Sequence, residues 1–99
     1  MLSVIIPAFN EELSIDRAYY TITDILKNEG IDNEIIFVDD GSTDSTYTKI
    51  KNLSDKEQNV TGLHFSRNFG KEAAISAGLA SATGDAVVVL DCDLQQPPE

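Results

Sequence analysis

The sequence predicts an α/β fold: a mainly parallel sheet with helices on both faces, in the order βαβαβαβ. Two observations carry the prediction. Short apolar runs at residues 2–7, 34–38, 60–65 and 85–90 alternate with longer stretches suited to helices, and that alternation implies right-handed crossovers between parallel strands. Each run is also followed by polar residues: Asn10-Glu11, Asp39-Asp40, Ser66-Arg67-Asn68 and Asp91-Cys92-Asp93. A parallel sheet collects all of these at its carboxyl edge, where open α/β sheets bind ligands.

Leu2 to Pro7 reads as a short apolar strand that Pro7 ends by withholding a backbone donor. Asn10 is expected to cap the following helix. From Leu13 to Glu29, Ile15, Ala18, Ile22, Ile25 and Leu26 recur at helical spacing, with Glu11 and Glu12 at the positive end of the dipole and Gly30 beyond the other. Glu34 to Val38 is the second strand and Asp39 to Thr43 a turn. A helix from about Asp44 to Leu53 then places Tyr47, Ile50 and Leu53 on one face.

After a polar loop at 54–59, Val60 to Phe65 is a third strand whose apolar pattern Gly62 and His64 interrupt. Lys71 to Ala82 is rich in small residues and suits a helix packed closely on a sheet, with Gly84 ending it. Asp85 to Leu90 is the fourth strand, expected to be buried. It leads into Asp91 and Asp93, two carboxylates of the kind that hold a hard divalent cation.

With 99 residues, one domain is expected. Seven basic against seventeen acidic residues give a formal charge of −10. That balance argues against a nucleic-acid surface or a polybasic lipid contact, so an anionic ligand must bring a cation with it. The lone Cys92 excludes an internal disulfide and a cysteine zinc site, which fits a reducing, cytoplasmic setting. Neither a secretory signal nor an apolar run of roughly 20 residues is present, so a soluble chain is expected.

The segments Val4-Ile5-Ile6-Pro7-Ala8-Phe9-Asn10-Glu11-Glu12, Val38-Asp39-Asp40-Gly41-Ser42-Thr43-Asp44, Ser66-Arg67-Asn68-Phe69-Gly70-Lys71 and Leu90-Asp91-Cys92-Asp93-Leu94-Gln95 resemble the family 2 glycosyltransferases of the GT-A fold. Within that family the resemblance is closest to the polyprenyl-phosphate sugar transferases. It runs through the whole chain in order and covers about the first half of the family's catalytic domain. Residues 1–99 are therefore expected to be its N-terminal, Rossmann-like, nucleotide-sugar-binding part, without turnover of its own.

The resemblance implies roles for particular residues. Pro7, Phe9 and Glu11 match a segment lining base and ribose, and Val38, Asp39 and Asp40 match an acidic turn that bonds to them. These residues also have structural readings, as strand terminator, dipole residue and turn signal. Asp91 and Asp93 resemble the DxD motif, engaging Mg²⁺ or Mn²⁺ at the donor diphosphate. On that resemblance Asp93 is expected to coordinate directly, and Asp91 to contact ribose or the metal through water. Arg67 and Lys71 are the cations nearest the crevice, and Arg67 is suited to hold Asp91 or a phosphate. Gln95 matches a position near the donor sugar. Cys92 lies in the same segment, where negative neighbours disfavour a thiolate. His64 is read as a surface or core residue outside the site.

These implications amount to a metal-dependent, inverting transferase that uses a UDP- or GDP-linked sugar, with a polyprenyl phosphate as acceptor and attachment at the cytoplasmic face of a membrane in the intact protein. No catalytic base is identifiable in the 99 residues. Association through an uncovered sheet edge or an apolar face is expected, most simply as a symmetric dimer. Two other classes compete. In a phosphoacceptor signalling domain the acidic pair follows the first strand, whereas here it follows the second. A dinucleotide-binding module would need a G-x-G-x-x-G turn, which is absent.

Overall fold

Residue alternation along two inner strands divides the core in two. In the computed structural model, which describes residues 1–93, the elements are β1 (Leu2–Ala8), α1 (Ile15–Asn28), β2 (Asn33–Asp39), α2 (Thr46–Lys56), β3 (Val60–His64), α3 (Lys71–Ser81) and β4 (Ala86–Val89). The predicted order is therefore the observed one. Val4, Ile6 and Ala8 of β1, with Ile35 and Phe37 of β2, form one cluster with Ile15, Ala18 and Ile22 of α1 and Ile50 of α2. The alternate residues Ile5, Ile36 and Val38 form the other, with Ala74 of α3. A strand buried on both faces has no polar face, so its sequence reads as a continuous apolar run.

The sheet order is β3-β2-β1-β4, with every pair parallel. Leu2 lies opposite Asn33 on one side and Ala86 on the other. β2 and β3 are added on one side of β1 and β4 on the other, so the strand order reverses between β1 and β4, and the carboxyl ends of these two strands flank the point where a crevice is expected.

Several expectations require correction. Pro7 does not end β1, which continues through Ala8 opposite Asp39. Ile5 accepts from the Leu90 amide on the β4 side, whereas Ala8 accepts from the Asp40 amide on the β2 side. Pro7 shares the β4 side with Ile5, beyond the last paired residue of β4, so its missing donor breaks no ladder bond. Asn10 does not cap α1: Ser14 holds the N-cap position, and Asn10 instead adopts φ 52°. Ile25 is 57% exposed while Tyr19 is buried. The stripe of Ile15, Tyr19, Ile22 and Leu26 leaves Ile25 at its margin, about 100° round the axis from Leu26.

β4 is not a buried strand. Among the described residues it is an edge paired only with β1, and Val87 and Val89 are 40% and 38% exposed. An apolar run reports strand propensity; it does not say what covers the strand. On the sheet face that carries Ile5, the small residues of α3 serve the close approach expected of them, since a Cβ at Gly78 would lie 2.5 Å from Ile5 Cγ2.

At the amino edge, a network without a signal in the sequence joins three segments. Glu34 Oε2 accepts from Ser3 Oγ at 2.5 Å, from the Thr83 amide at 2.7 Å and from Thr83 Oγ1 at 3.1 Å, while Ser3 Oγ accepts from the Gly84 amide at 2.8 Å. Burial opposes the charge on Glu34, but the donors from Ser3, Thr83 and Gly84 outweigh it and hold the carboxyl below its ordinary value. A depressed carboxyl stabilises the fold above its unfolded pKa of about 4.3 and loses that contribution as pH falls toward the native value. Glu34→Gln should therefore cost about 1 kcal/mol at pH 7, with the difference shrinking below about pH 4. Urea melts of both proteins across this range measure it.

Candidate functional site

Two loops at the carboxyl edge are locked together by reciprocal bonds. The Asn10 amide donates to Ser42 Oγ at 2.8 Å, and Asn10 Oδ1 accepts from the Thr43 amide at 2.9 Å. The Glu11 amide donates to Thr46 Oγ1 at 2.8 Å, and Glu12 Oε1 accepts from the Ser45 amide at 2.8 Å. Asp44 accepts from the Thr46 amide at 2.9 Å and from the Thr46 hydroxyl. Asn10 tolerates the left-handed region better than most residues, which frees its amide and side chain to face the other loop. Phe9 and Glu11, on either side of it, are positioned accordingly.

The acidic turn after β2 is built into the protein. Asp39 is fully buried; its Oδ1 accepts from the Ser42 amide at 3.1 Å, and its Oδ2 lies 2.7 Å from His64 Nδ1. The imidazole stacks on Tyr47 with centroids 4.2 Å apart. His64, read from sequence as lying outside the site, thus fixes the turn from beneath. Asp40, 4% exposed, reaches the loop before α3: its Oδ1 accepts from the Phe69 amide at 2.8 Å and its Oδ2 from the Gly70 amide and Asn68 Nδ2, both at 3.1 Å. Gly41, at φ +73°, presses on the same loop; a Cβ there would lie 2.1 Å from the Arg67 carbonyl carbon.

Arg67 does not hold Asp91. Its guanidinium lies 4.7 Å over the Phe69 ring, which meets Phe65 edge-on at 5.6 Å. Lys71, the first residue of α3, makes the ion pair, with Nζ 2.7 Å from Asp91 Oδ1 and the side chains 61% and 66% exposed. Exposed pairs of this kind contribute about 0–1 kcal/mol, so the pair can open. The Asp93 carbonyl accepts from Arg17 Nη2 at 3.3 Å, which ties the end of this segment to α1.

These elements enclose a crevice of about 210 Å³. Pro7, Ala8, Phe9 and Glu11 line it from the end of β1, Asp40 from the acidic turn, Lys71 from α3, and Asp91, Cys92 and Asp93 from beyond β4. Burial, followed by Asp93, Asp44 and Asp91, raises the Glu11 carboxyl above its ordinary value. Burial, with Glu11 and Asp93, pushes the Cys92 thiol up to about 12. Cys92 is 2% exposed and protonated at neutral pH, so it packs rather than reacts.

The structure therefore brings together Pro7, Phe9, Glu11, Asp40, Lys71, Asp91, Cys92 and Asp93 of the predicted site. Val38 and Asp39 are wholly buried and do not line the crevice. Arg67 stands outside its lining, and Gln95 lies outside the described residues.

Among the described residues no group of three or more His, Cys, Asp or Glu side chains converges as a preformed metal cage. The carboxylates of Asp91 and Asp93 are hard oxygen donors. They suit the mode in which one or two carboxylates share Mg²⁺ or Mn²⁺ with substrate phosphates and water.

The glycosyl transferase family 2 model matches residues 3–99. The prophage bactoprenol glucosyl transferase homolog of Escherichia coli (strain K12) is 44% identical over 98 residues, 99% of this chain and 32% of that protein. The bactoprenol glucosyl transferase of Shigella phage SfV is likewise 44% identical over 98 residues, with the same coverage of 99% and 32%. Among solved structures, the mannosyltransferase PcManGT from Pyrobaculum calidifontis, in complex with GDP-Man and Mn²⁺, superposes with a TM-score of 0.78 at 28% identity, over 93% of this chain and 27% of that one. S. aureus TarS 1-349 in complex with UDP-GlcNAc superposes with a TM-score of 0.73 at 30% identity, over 93% and 26%. The chain thus spans about a third of the length of the curated relatives it matches.

Proposed function

The chain belongs to glycosyl transferase family 2, and from that membership we propose that residues 1–99 form the part of a glycosyltransferase that binds a nucleoside-diphosphate sugar in the carboxyl-edge crevice. The observation that carries the proposal is the meeting, at the switch between β1 and β4, of Pro7, Phe9 and Glu11 with Asp91 and Asp93. A flat ring and a ribose fit the former; a diphosphate with its counter-ion fits the latter.

Asp93, with Asp91 beside it, would hold Mg²⁺ or Mn²⁺. The bound ion supplies charge neutralisation and Lewis-acid stabilisation of the departing nucleoside diphosphate. Around it the chain orients the donor: Phe9, 45% exposed, offers a stacking face, and Lys71 a mobile cation for phosphate. The proposed acceptor is a polyprenyl phosphate, in keeping with the bactoprenol transferases among the relatives. An anionic acceptor attacks with little help from a general base, so catalysis rests on positioning and preorganised charge. No catalytic base is assigned within these 99 residues, and the chain alone is expected to show no turnover.

Two further proposals concern the surroundings. Among the described residues no helix is long and apolar enough to cross a membrane; the whole protein is proposed to work at the cytoplasmic face of one, as a lipid-linked acceptor would require. The β4 edge, unpaired among the described residues, is proposed to pair two copies of the chain as a symmetric dimer, and light scattering at rising concentration should show the doubled mass.

Calorimetric titration with UDP and GDP, each with and without Mn²⁺, tests the donor site. One nucleotide should bind only with the metal, and Asp93→Ala should weaken that binding at least tenfold while leaving the fold intact. Equal binding with and without metal, or an Asp93→Ala variant indistinguishable from the parent, would contradict it.

A further inference from the structure

We propose that Lys71 is a resident counter-ion that keeps Asp91 from capturing a dication alone and so makes metal and nucleotide bind together; this rests on the donor-site reading above. The described crevice lining carries Glu11, Asp40, Asp91 and Asp93 against one base, Lys71. Such a charge excess would draw a divalent ion whether or not a donor is present. The Lys71 ammonium sits 2.7 Å from Asp91 Oδ1, where a cation entering that carboxylate must displace it.

The backbone at the base of Lys71 is fixed, whereas its head, paired with Asp91, is exposed to solvent. The Gly70 amide, immediately before it, donates to both Asp40 oxygens, at 3.3 and 3.1 Å. The four-carbon stem beyond is 61% exposed, so the ammonium can swing about an anchored helix start. Without nucleotide, an ion arriving at Asp91 breaks the pair and leaves two cations side by side. With nucleotide, the diphosphate takes the released ammonium. Lys71 therefore favours the ion only in the company of the diphosphate, and by linkage the ion favours the nucleotide to the same extent.

Manganese binding followed by electron paramagnetic resonance tests this without any turnover. In the nucleotide-free chain, Lys71→Met should bind Mn²⁺ about three- to tenfold more tightly than the parent, the range expected for removing a unit charge some 6 Å from a dication in screened solvent. Lys71→Arg should restore the parent's affinity. In an Asp91→Asn background the gain from Lys71→Met should shrink, because no pair with Asp91 has to be broken there and only the repulsion of an ion at Asp93 is relieved. With UDP or GDP present, the factor by which nucleotide tightens Mn²⁺ should fall about tenfold in Lys71→Met.

Unchanged Mn²⁺ affinity in a Lys71→Met protein with native circular dichroism overturns the proposal. So does a gain that is undiminished in the Asp91→Asn background, or Mn²⁺ binding in neither protein. A parent that binds Mn²⁺ but neither nucleotide refutes the donor-site reading instead, while the nucleotide-free comparison still decides whether Lys71 guards Asp91.

Discussion

Gly41→Ala should cost on the order of 4 kcal/mol, a large fraction of the about 5–15 kcal/mol that stabilises a typical domain. Two effects combine. A residue with a Cβ held at φ +73° carries about 1–3 kcal/mol of strain. The new methyl also meets the Arg67 carbonyl carbon at 2.1 Å, the Asn68 amide nitrogen at 2.4 Å and the Arg67 oxygen at 2.5 Å. All three are backbone atoms, so no flexible side chain can yield, and overpacking adds about 1–3 kcal/mol. Gly30→Ala is the matched control: φ is +69° and nothing lies within 4 Å of the added methyl. It should cost about 1 kcal/mol. Urea denaturation of both variants separates dihedral strain from contact, and equal losses would show that the 66–70 loop moves aside.

Asp40→Ala should cost about 3–4 kcal/mol, because it strands the Phe69 and Gly70 amides and Asn68 Nδ2, each paired with a buried carboxylate. The damage should be local. Amide exchange at 66–71 should accelerate well before the core of β1 and β2 opens. Asp40 also lines the crevice, so the same change should weaken nucleotide binding, partly by releasing the start of α3 and Lys71 with it. Exchange that rises uniformly across the chain would show instead that Asp40 supports the fold as a whole.

How far the sequence reaches can be judged from individual residues. Local period and punctuation decide which elements exist, so every strand and helix is legible, as is the convergence of Glu11, Asp40 and Asp91 on one edge. What pairs across the chain is not. Nothing adjacent to Asn10 tells that it will latch onto Ser42 and Thr43, 32 and 33 residues away. His64 interrupts an apolar strand for a reason that resides at Asp39, 25 residues earlier. The family resemblance marks Asp39 and Asp40 as ligands; in the fold both carboxylates accept amides of their own chain, and of the two only Asp40 also lines the crevice. That leaves no open aspartate in the acidic turn for phosphorylation, which weighs against the phosphoacceptor alternative. Apolar periodicity also overstates coverage, as Ile25 and the edge strand β4 show, since it records the affinity of a face for burial and not the neighbour that provides it.

Residue-resolved relaxation with Mn²⁺ and the bound nucleotide tests the central claim most directly. Amide resonances of 7–11, Lys71 and 91–93 should broaden first and most, while those of Ser3, Glu34 and Gly84 at the amino edge, at the other end of the strands, should broaden last. Broadening centred instead on the groove between α1 and α2, around Asp16, Lys49 and Lys56, would place the ion and nucleotide elsewhere and contradict the assignment of the carboxyl-edge crevice.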